Sequence, residues 1–520
     1  MRHVFRGTCA LLAICAVATS AAGANKVSPL KTSTGRLDTG FIYSPWGSPE
    51  LDAIQFERMR AAGAKFVRIN AVWSAIAPTG KTMPTAFHPT DPADPLYNWA
   101  YLDTLVGEAT TAGLQPILAL LSAPVWAEGT ASTRPATAGG YKPNAAQFAK
   151  FATAAATRYS GSFESLPRVR YWAIWNEPNL SRYLSPQMTG KKVVGYLTYR
   201  ALVNAGAAAI HNAASGNVVI AGETSPFGGP ASTRTRPLTF MEKVLCVSEK
   251  LVKKVSKKKV THVWTYKSAC KTRVQFDVWS QHPYTEGGPT TKAYSHGDVP
   301  LGNMSDMLAV LNTAIRANHV AASSARLWVT EFSWDSNPPD PKGVSPQLES
   351  RWVSEALYRA WSTGVSFFTW FLVRDQPFKP GSYYQSGLYT ISKSKPADVT
   401  LDKAKAALTA FRFPFVAFPL SKTSITIWGR TPGSKAGRVQ IQRKSGSAWK
   451  LVTTLNANRY GIFQARVRKP PAKTKTVYLR ARLADGSDVS VSFSLVAPKK
   501  LWKGCAFGSG CYQNTPSKKK

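Results

Sequence analysis

The sequence predicts an α/β protein, a (β/α)8 TIM barrel followed by a small all-β sandwich domain, and three observations support this fold class. Short apolar runs with strand character alternate with amphipathic helical stretches between residues 38 and 415. Two of these runs end abruptly on a glutamate, at the rim where parallel barrels keep their functional side chains. Beyond residue 418 the helical pattern stops, and short alternating runs separated by turn residues begin.

The barrel prediction rests on the regular alternation of strands and helices. The predicted strands are 40–43, 66–70, 115–120, 171–175, 218–221, 276–280, 327–330 and 366–371. The predicted helices are 51–62, 101–112, 145–159, 193–213, 304–318, 347–362 and 401–411. A doubly wound open sheet would show a similar alternation. However, no Gly-x-Gly-x-x-Gly follows the first strand, which disfavours a dinucleotide-binding fold.

The longest insertion, 225–271, follows the fifth strand and is predicted to be a long basic loop. It carries Cys246 and Cys270, and a disulfide between them would hold the loop down. After the barrel, the predicted sandwich strands are 425–428, 439–443, 449–453, 462–467, 477–481 and 489–495. Turn-rich segments at 431–434, 445–447 and 484–487 separate them.

The 520-residue chain therefore divides into five predicted segments. These are a signal peptide (1–24), a linker (25–37), the barrel (38–415), the sandwich (419–497) and a basic tail (498–520). The signal prediction rests on Arg2 and Arg6, the apolar stretch after them, and the small-residue cleavage site at Ala22-Gly-Ala24. We expect a secreted, extracellular monomer, with no transmembrane segment because no later apolar run is long enough.

Cysteine usage agrees with an oxidising compartment. Cys9 and Cys15 would leave with the signal peptide, so four cysteines remain. The simplest pairing is Cys246 with Cys270 and Cys505 with Cys511, with unpaired thiols as the alternative. No histidine and cysteine spacing resembles a zinc site, so no metal or cofactor is expected.

The chain is strongly basic, since 66 Lys and Arg residues against 28 Asp and Glu residues give a net charge of +38. Such a bias favours association with polyanions, for example an anionic cell-wall polymer. Lysines cluster at Lys250, Lys253, Lys254 and 257–259, and again at 518–520. No nucleic-acid-binding module is present, which disfavours nucleic acid as the partner. A solvated basic surface without a specific partner is the alternative.

The two glutamates carry the predicted chemistry. Glu177 follows the strand that ends Tyr171-Trp-Ala-Ile-Trp175, and Glu331 follows Leu327-Trp-Val-Thr330. Retaining glycoside hydrolysis needs two carboxyls about 5 Å apart, one as proton donor and one as nucleophile. Because Glu177 lies among Trp172, Trp175 and Pro178, it suits the acid and base role. Glu331 is then the nucleophile.

At these residues the sequence resembles the retaining glycoside hydrolases with (β/α)8 barrels, the clan that includes families 5, 39 and 51. The resemblance covers residues 38–415 and implies that Asn176-Glu177 ends strand four and that Glu331 ends strand seven. Asn176 would then grip the sugar hydroxyl next to the anomeric carbon. Many family 5 members have a histidine at the end of strand three, where this chain reads Leu120-Leu-Ser-Ala-Pro124, so a family 39-like or a divergent member is favoured over a cellulase.

The same resemblance implies further substrate-binding residues. Arg68 in strand two and Tyr284 in His282-Pro-Tyr284 would support Glu331, and Trp370 at the end of strand eight would stack on the sugar. Each has a structural alternative. Arg68 would be a strand arginine paired with a core carboxylate, His282 a satisfied buried histidine, and Trp370 part of the barrel filling. Trp126 would line the cleft after strand three, or pack in the core. The closing sandwich resembles the immunoglobulin-like modules of secreted bacterial proteins.

The predicted function is a secreted retaining O-glycoside hydrolase that acts on a β-linked oligo- or polysaccharide by double displacement. The alternative is a non-catalytic cell-wall or polyanion-binding protein on a glycosidase-like barrel. The sugar, the linkage and the choice between chain ends and chain interiors depend on loops that the sequence does not place.

Overall fold

A computed structural model describes residues 35–130, 139–229, 233–256, 259–320, 326–379, 384–471 and 476–495. Eight parallel strands, here named β1 to β8 in chain order, close into a barrel in which each strand pairs with its neighbours in sequence and β8 pairs with β1. The strands are Asp38–Ile42, Phe66–Val72, Gln115–Leu121, Tyr171–Ile174, Val218–Thr224, Val278–Gln281, Arg326–Val329 and Val365–Trp370. The predicted barrel is confirmed.

One helix of at least seven residues follows each strand, and these are named α1 to α8. They are Pro49–Ala61, Ala100–Thr111, Ala145–Arg158, Gly195–Ala213, Pro237–Leu245, Met304–Arg316, Pro346–Ser362 and Ala406–Arg412. The prediction that residues 225–271 form a loop is wrong for α5, whose nine residues lie inside that segment. Pro237 stands in its first turn, where the missing N–H costs no hydrogen bond. The apolar residues of α5 pack against the barrel, and the neighbouring lysines and cysteines masked that pattern in the sequence.

The rest of the same insertion is also ordered. Strands Val247–Ser256 and Lys259–Ser268 form an antiparallel hairpin with ten paired positions. A disulfide joins Cys246 and Cys270 across its base, with Cα atoms 5.5 Å apart. The predicted pairing of Cys505 with Cys511, the signal peptide and the basic tail lie outside the described residues.

Aromatic rings fill the lower half of the barrel interior. The ring of Phe66 lies 5.0 Å from that of Tyr171 and 4.9 Å from that of Phe367, and Trp328 closes the group at 4.7 Å from Phe367. Gly40 makes room for this layer, since a Cβ there would lie 2.9 Å from the Phe367 ring and 2.8 Å from the Phe66 carbonyl. A rigid apolar layer of this kind supports the polar side chains above it.

Antiparallel strands, named β9 to β15, follow the barrel in two sheets. The three-stranded sheet contains Phe415–Pro419, Ser424–Arg430 and Ile462–Arg468, and the four-stranded sheet contains Gly437–Ser445, Ala448–Ala457, Tyr478–Leu483 and Phe493–Ser494. The predicted barrel ends at residue 415 and the predicted sandwich begins at residue 419. The residues between these two limits belong to strand β9, the first strand of the antiparallel sheets. The buried Arg430 of β10 donates to the carbonyls of Leu37 and Phe411, which ties this domain to the barrel.

Shorter elements complete the described chain. They are the single helical turns Trp73–Ile76, Val125–Ala127, Leu301–Asn303, Val399–Leu401 and Pro432–Ser434, and the short strand pairs Met188–Thr189 with Lys192–Val193 and Tyr389–Thr390 with Lys403–Ala404. Among the described residues, every helix is too short or too polar to span a lipid bilayer.

Candidate active site

The two predicted carboxylates stand just past the carboxyl ends of β4 and β7. The chain leaves β4 at Ile174 and turns through Trp175 and Glu177, whose φ angles of 72° and 40° lie in the left-handed region. The Glu177 N–H donates to the Glu223 carbonyl over 3.0 Å, which fixes this turn. A left-handed conformation in a residue other than glycine is costly and is held only where the surroundings enforce it. The strained turn therefore places Glu177 at the barrel mouth.

Glu177 and Glu331 face each other across His282. Nδ1 of His282 lies 3.3 Å from Oε1 of Glu177 and 3.7 Å from Oε2 of Glu331. One carboxylate oxygen from each glutamate and one His282 nitrogen all lie within 4.8 Å of one another. The glutamate side chains are 14% and 17% exposed, whereas His282 is fully buried. The two carboxylates are therefore close together and partly exposed, at the separation that retaining glycosidases use.

His282 responds to the charge on both carboxylates. Burial alone lowers the pKa of His282, but Glu331 and Glu177 raise it by more, and the net shift is upward. A charged imidazolium between the glutamates would offset part of their repulsion.

Tyr284 is the direct partner of Glu331. Its Oη donates to Oε1 of Glu331 over 2.7 Å. Burial and the nearby Glu331 carboxylate raise the pKa of Tyr284, so the phenol stays protonated as a donor. Burial and repulsion by Glu177 raise the pKa of Glu331, while His282, Arg68 and the Tyr284 hydrogen bond oppose that rise. The net shift of the Glu331 pKa is upward, and these three groups limit it by favouring the ionised form.

Arg68 favours the ionised form of Glu331 through its charge, and its side chain pairs with a buried carboxylate, as the structural alternative expected. Arg68 forms a two-pronged salt bridge with Glu223, from Nε to Oε1 over 3.1 Å and from one Nη to Oε2 over 2.6 Å. It also donates to Oδ1 of Asn70 over 3.0 Å and to Oδ1 of Asn176 over 2.9 Å. Arg68 and Glu223 are both buried. Arg68 therefore acts on Glu331 only through its charge, and its contact with Asn176 sets the orientation of that amide.

Glu223 is a site residue that the sequence reasoning missed. It lies in β5 with a φ of 47°, and its N–H donates to Oγ of Ser280 over 3.0 Å. The predicted fifth strand ends at residue 221, three positions before the observed end at Thr224. A third glutamate at a strand end, next to a glycine, was the available signal.

Trp370 does not lie where a sugar platform requires it. Its ring is fully buried, its Nε1 donates to the Ser386 carbonyl over 2.7 Å, and it packs toward Phe411 of α8. Side chains alternate along a strand, so Trp370 faces the helices, whereas Phe371 continues the inward row. The half-buried Phe371 ring lies 6.5 Å from Tyr284 and 5.2 Å from Tyr384. Phe371 thus lies beside Tyr284, the partner of Glu331, with Tyr384 next to it.

Trp126 lies farther out, on the turn after β3. Its Nε1 donates to the Pro78 carbonyl over 2.8 Å, and its ring contacts Trp73 and Phe87 edge-on. These contacts are those of a packed loop, and none of them reaches Glu177 or Glu331.

Two further residues that the sequence reasoning missed stand at the rim, in the turn after Glu177. Burial and the Glu177 carboxylate raise the pKa of Tyr183 to about 12, which places this phenol within electrostatic range of the pair. The exposed Arg182 side chain lies over the Tyr183 ring, 5.6 Å from its centre.

Glu177, His282 and Glu331 could also hold a metal ion. Two carboxylates and one imidazole are a ligand set that divalent metals accept, and catalytic zinc sites use three protein ligands. Within the described residues no other histidine, cysteine and carboxylate cluster has this spacing.

Comparison with known proteins gives matches only among solved structures. No family model and no curated protein matches the chain. A family 39 glycoside hydrolase from the gut symbiont Bacteroides cellulosilyticus WH2 aligns at 14% identity with a TM-score of 0.48, covering 84% of this chain and 81% of that one. A GH39 β-xylosidase from Caulobacter crescentus aligns at 14% identity and a TM-score of 0.47, covering 85% and 98%. A glucosidase from Croceicoccus marinus aligns at 13% identity with a TM-score of 0.45, covering 85% of this chain and 96% of that one. Identity this low does not carry an activity to the present chain.

Proposed function

We propose that this protein is a retaining O-glycoside hydrolase that acts on a β-linked oligo- or polysaccharide. One observation supports this most strongly: the carboxylates of Glu177 and Glu331, at the mouth of a closed (β/α)8 barrel, approach within 4.8 Å. That separation suits direct attack on an anomeric carbon, whereas an inverting pair would stand about 6.5–9.5 Å apart to admit a water.

The first step uses both carboxyls. Tyr284, His282 and Arg68 favour the negative charge on Glu331 and oppose the rise that burial causes in its pKa. Glu331 is therefore assigned as the nucleophile, and Glu177, at the end of β4, as the proton donor. Glu177 donates this proton to the glycosidic oxygen as Glu331 attacks the anomeric carbon. The bond to the leaving sugar breaks, and an ester between Glu331 and the remaining sugar forms.

The second step restores the enzyme. Ionised Glu177 takes a proton from water, the resulting hydroxide oxygen bonds to the anomeric carbon, and the ester to Glu331 breaks. Glu177 is then protonated and Glu331 ionised, as at the start. The configuration at the anomeric carbon is retained because it has been inverted twice.

The buried Arg68–Glu223 pair would position the substrate-binding amide. Since Oδ1 of Asn176 accepts from Arg68, Nδ2 is the end of the amide left to donate to a sugar hydroxyl. A hydrogen bond to the hydroxyl beside the anomeric carbon strengthens in the transition state. Phe371 and Tyr384 would supply the apolar side of the sugar site.

The cellular setting is proposed on sequence grounds. We infer a secreted monomer, released by cleavage near Ala24 and retained near anionic wall polymers by its net charge of +38.

The function is tested by assaying wild type and Glu331→Gln on a panel of aryl β-glycosides, with circular dichroism as the check on folding. We expect wild type to hydrolyse at least one substrate with retention, and the variant to fold but lose at least about 10³-fold in kcat. Activity that EDTA abolishes and zinc restores would assign the three residues to a metal centre instead. Wild-type-like hydrolysis by the variant would contradict the proposal.

A further inference from the structure

The hairpin formed by Val247–Ser256 and Lys259–Ser268, here called the basic arm, is attached to the barrel only along its lower half. Its base is held by the Cys246–Cys270 disulfide and by His319, which contacts both Ser268 and the Leu245 carbonyl. Higher up, Glu249 pairs with His296 over 2.6 Å, and the Trp264 ring stacks on the His296 ring at 3.8 Å.

His296 connects the arm to the proposed active site. It belongs to the loop between β6 and α6, the same loop that begins with His282 and Tyr284. Beyond the Leu251–Trp264 pair, no hydrogen bond, ion pair or ring contact joins the described residues of the arm to the described barrel. Five more residue pairs follow, so the arm projects about 17 Å past this loop at roughly 3.3 Å a residue.

The chemistry of the projecting part is cationic. Lys253 and Lys254 in the projecting part, and Lys250 and Lys267 below it, are exposed, and no carboxylate pairs with any of them in the described chain. The acidic residue of the arm, Glu249, is already paired with His296. A surface with several unpaired ammonium groups complements a polymer with repeated negative charges.

Apolar and aromatic groups lie between the lysines. Leu251, Val255, Val260 and Trp264 are each at least 40% exposed, and Tyr294, two residues before His296, is fully exposed. Aromatic and aliphatic side chains of this kind pack on the apolar faces of sugar rings, while ammonium groups bind ring carboxylates.

The positions of the lysines favour a flexible linear polymer over a flat membrane surface as the binding partner. Because side chains alternate along a strand, Lys253 lies on one face of the ribbon, and Lys250 and Lys254 lie on the other. A bilayer could contact one face at a time, whereas a linear polymer can follow the ribbon and use both.

We propose that the basic arm binds a linear polysaccharide with carboxylates on its sugar rings, and that this polymer is the substrate delivered to the barrel mouth. The choice of a polysaccharide rests on the proposed function. The binding itself does not, and it can be measured on a protein that does not cut.

The test uses Glu331→Gln protein and three acidic polysaccharides with β-linked uronic acids, namely cellouronate, polymannuronate and hyaluronate, each beside its carboxyl-reduced neutral form. The arm variant carries Lys250→Gln, Lys253→Gln and Lys254→Gln. The matched control carries Lys422→Gln, Lys444→Gln and Lys450→Gln, which remove three exposed lysines from the sandwich domain. Dissociation constants are measured at two salt concentrations, with anionic phospholipid vesicles and duplex DNA as competing ligands.

We expect at least one acidic polymer to bind, its neutral form to bind at least about tenfold more weakly, and salt to weaken the binding. The arm variant should lose about tenfold in affinity and the control much less. Equal losses in both variants, equal binding of the neutral forms, no binding at all, or tighter binding of vesicles or DNA would overturn the proposal. The proposed hydrolase function fails separately, if wild type cleaves no glycoside while binding persists.

Discussion

At the scale of single residues, two side chains favour the negative charge of Glu331 in different ways. Tyr284 contacts Glu331 directly, whereas Arg68 binds Glu223 and Asn176 and acts on Glu331 only through its charge. Substitution of Tyr284 should therefore change the pH dependence of activity. Substitution in the Arg68–Glu223 pair should change the free energy of unfolding.

Replacing Tyr284 by Phe should shift the pH profile. The Tyr284 hydrogen bond lowers the pKa of Glu331, so its loss raises that pKa. Because the nucleophile must be ionised, the acidic limb of kcat/KM against pH should move to higher pH, with kcat falling about 10–100-fold. An acidic limb that stays in place or moves to lower pH would contradict this role.

Replacing Glu177 by Ala should reveal the proton donor through the leaving group. Substrates whose leaving group needs protonation should slow by at least about 10²-fold more than aryl glycosides with acidic phenols. Added azide should restore turnover of the latter and yield a glycosyl azide with retained configuration. Equal losses on both substrate types would argue that Glu177 is not the acid.

Glu223→Gln should destabilise the fold, since it leaves the buried Arg68 without its charged partner. The expected loss is about 3 kcal/mol in the free energy of unfolding, and Arg68→Met combined with Glu223→Leu should lose less than Glu223→Gln alone. Urea unfolding measures the free energy of unfolding of the single and the double variant. A double variant less stable than the single one would show that the pair itself stabilises the barrel.

Much of this residue pattern could be predicted from the sequence, because Glu177 and Glu331 end recognisable strands. Trp370 could not be placed correctly, since a shift of one residue along a strand moves a side chain to the opposite face. Glu223 could not be assigned either, because its partner Arg68 lies 155 positions away in the chain.

At the scale of elements, α7 carries a buried carboxyl that makes stability depend on pH. Glu349 in its first turn is fully buried, and neither carboxyl oxygen has a hydrogen-bond partner in the described structure. Burial raises the pKa of Glu349 to about 8. The neutral form is therefore favoured in the folded state.

The sign of the effect follows from this upward shift. Protonated Glu349 contributes fully to the free energy of unfolding when the pH is below the pKa of an ordinary glutamate. That contribution is lost as the pH rises toward about 8, the pKa in the folded state. Between pH 5 and pH 8, wild type should lose on the order of 3 kcal/mol more than Glu349→Gln. The exposed Glu57→Gln is the matched control, which should follow wild type. Equal pH dependence in all three proteins would contradict the account.

The elements themselves were largely predictable from the hydrophobic period, and seven of the eight barrel helices overlap their predicted ranges. The last predicted helix begins at 401, which is wrong for residues 401–405, since Lys403–Ala404 is a strand and α8 begins at Ala406. Helix α5 was missed because its nine residues are few for a periodic pattern and precede a lysine-rich stretch. The hairpin after it was taken for a loop because its exposed strands bury little apolar surface.

At the scale of the whole molecule, the barrel, the basic arm and the β-sandwich form one chain whose net charge is +38. The alternation of strands and helices was enough to predict the closed barrel, and the change of pattern after residue 418 was enough to predict the antiparallel sheets. The identity of the sugar could not be predicted, because it depends on side chains from several loops that meet only after folding.

The central claim is that Glu331 forms a covalent bond to the sugar. The most direct measurement is mass spectrometry of wild type after incubation with activated 2-deoxy-2-fluoroglycosides matching the aryl glycosides it hydrolyses. Trypsin would place Glu331 in peptide 327–342 and Glu177 in peptide 171–182. The account predicts one glycosyl group on Glu331. A label on Glu177, or no label on an enzyme that turns over the matching aryl glycoside, would contradict it.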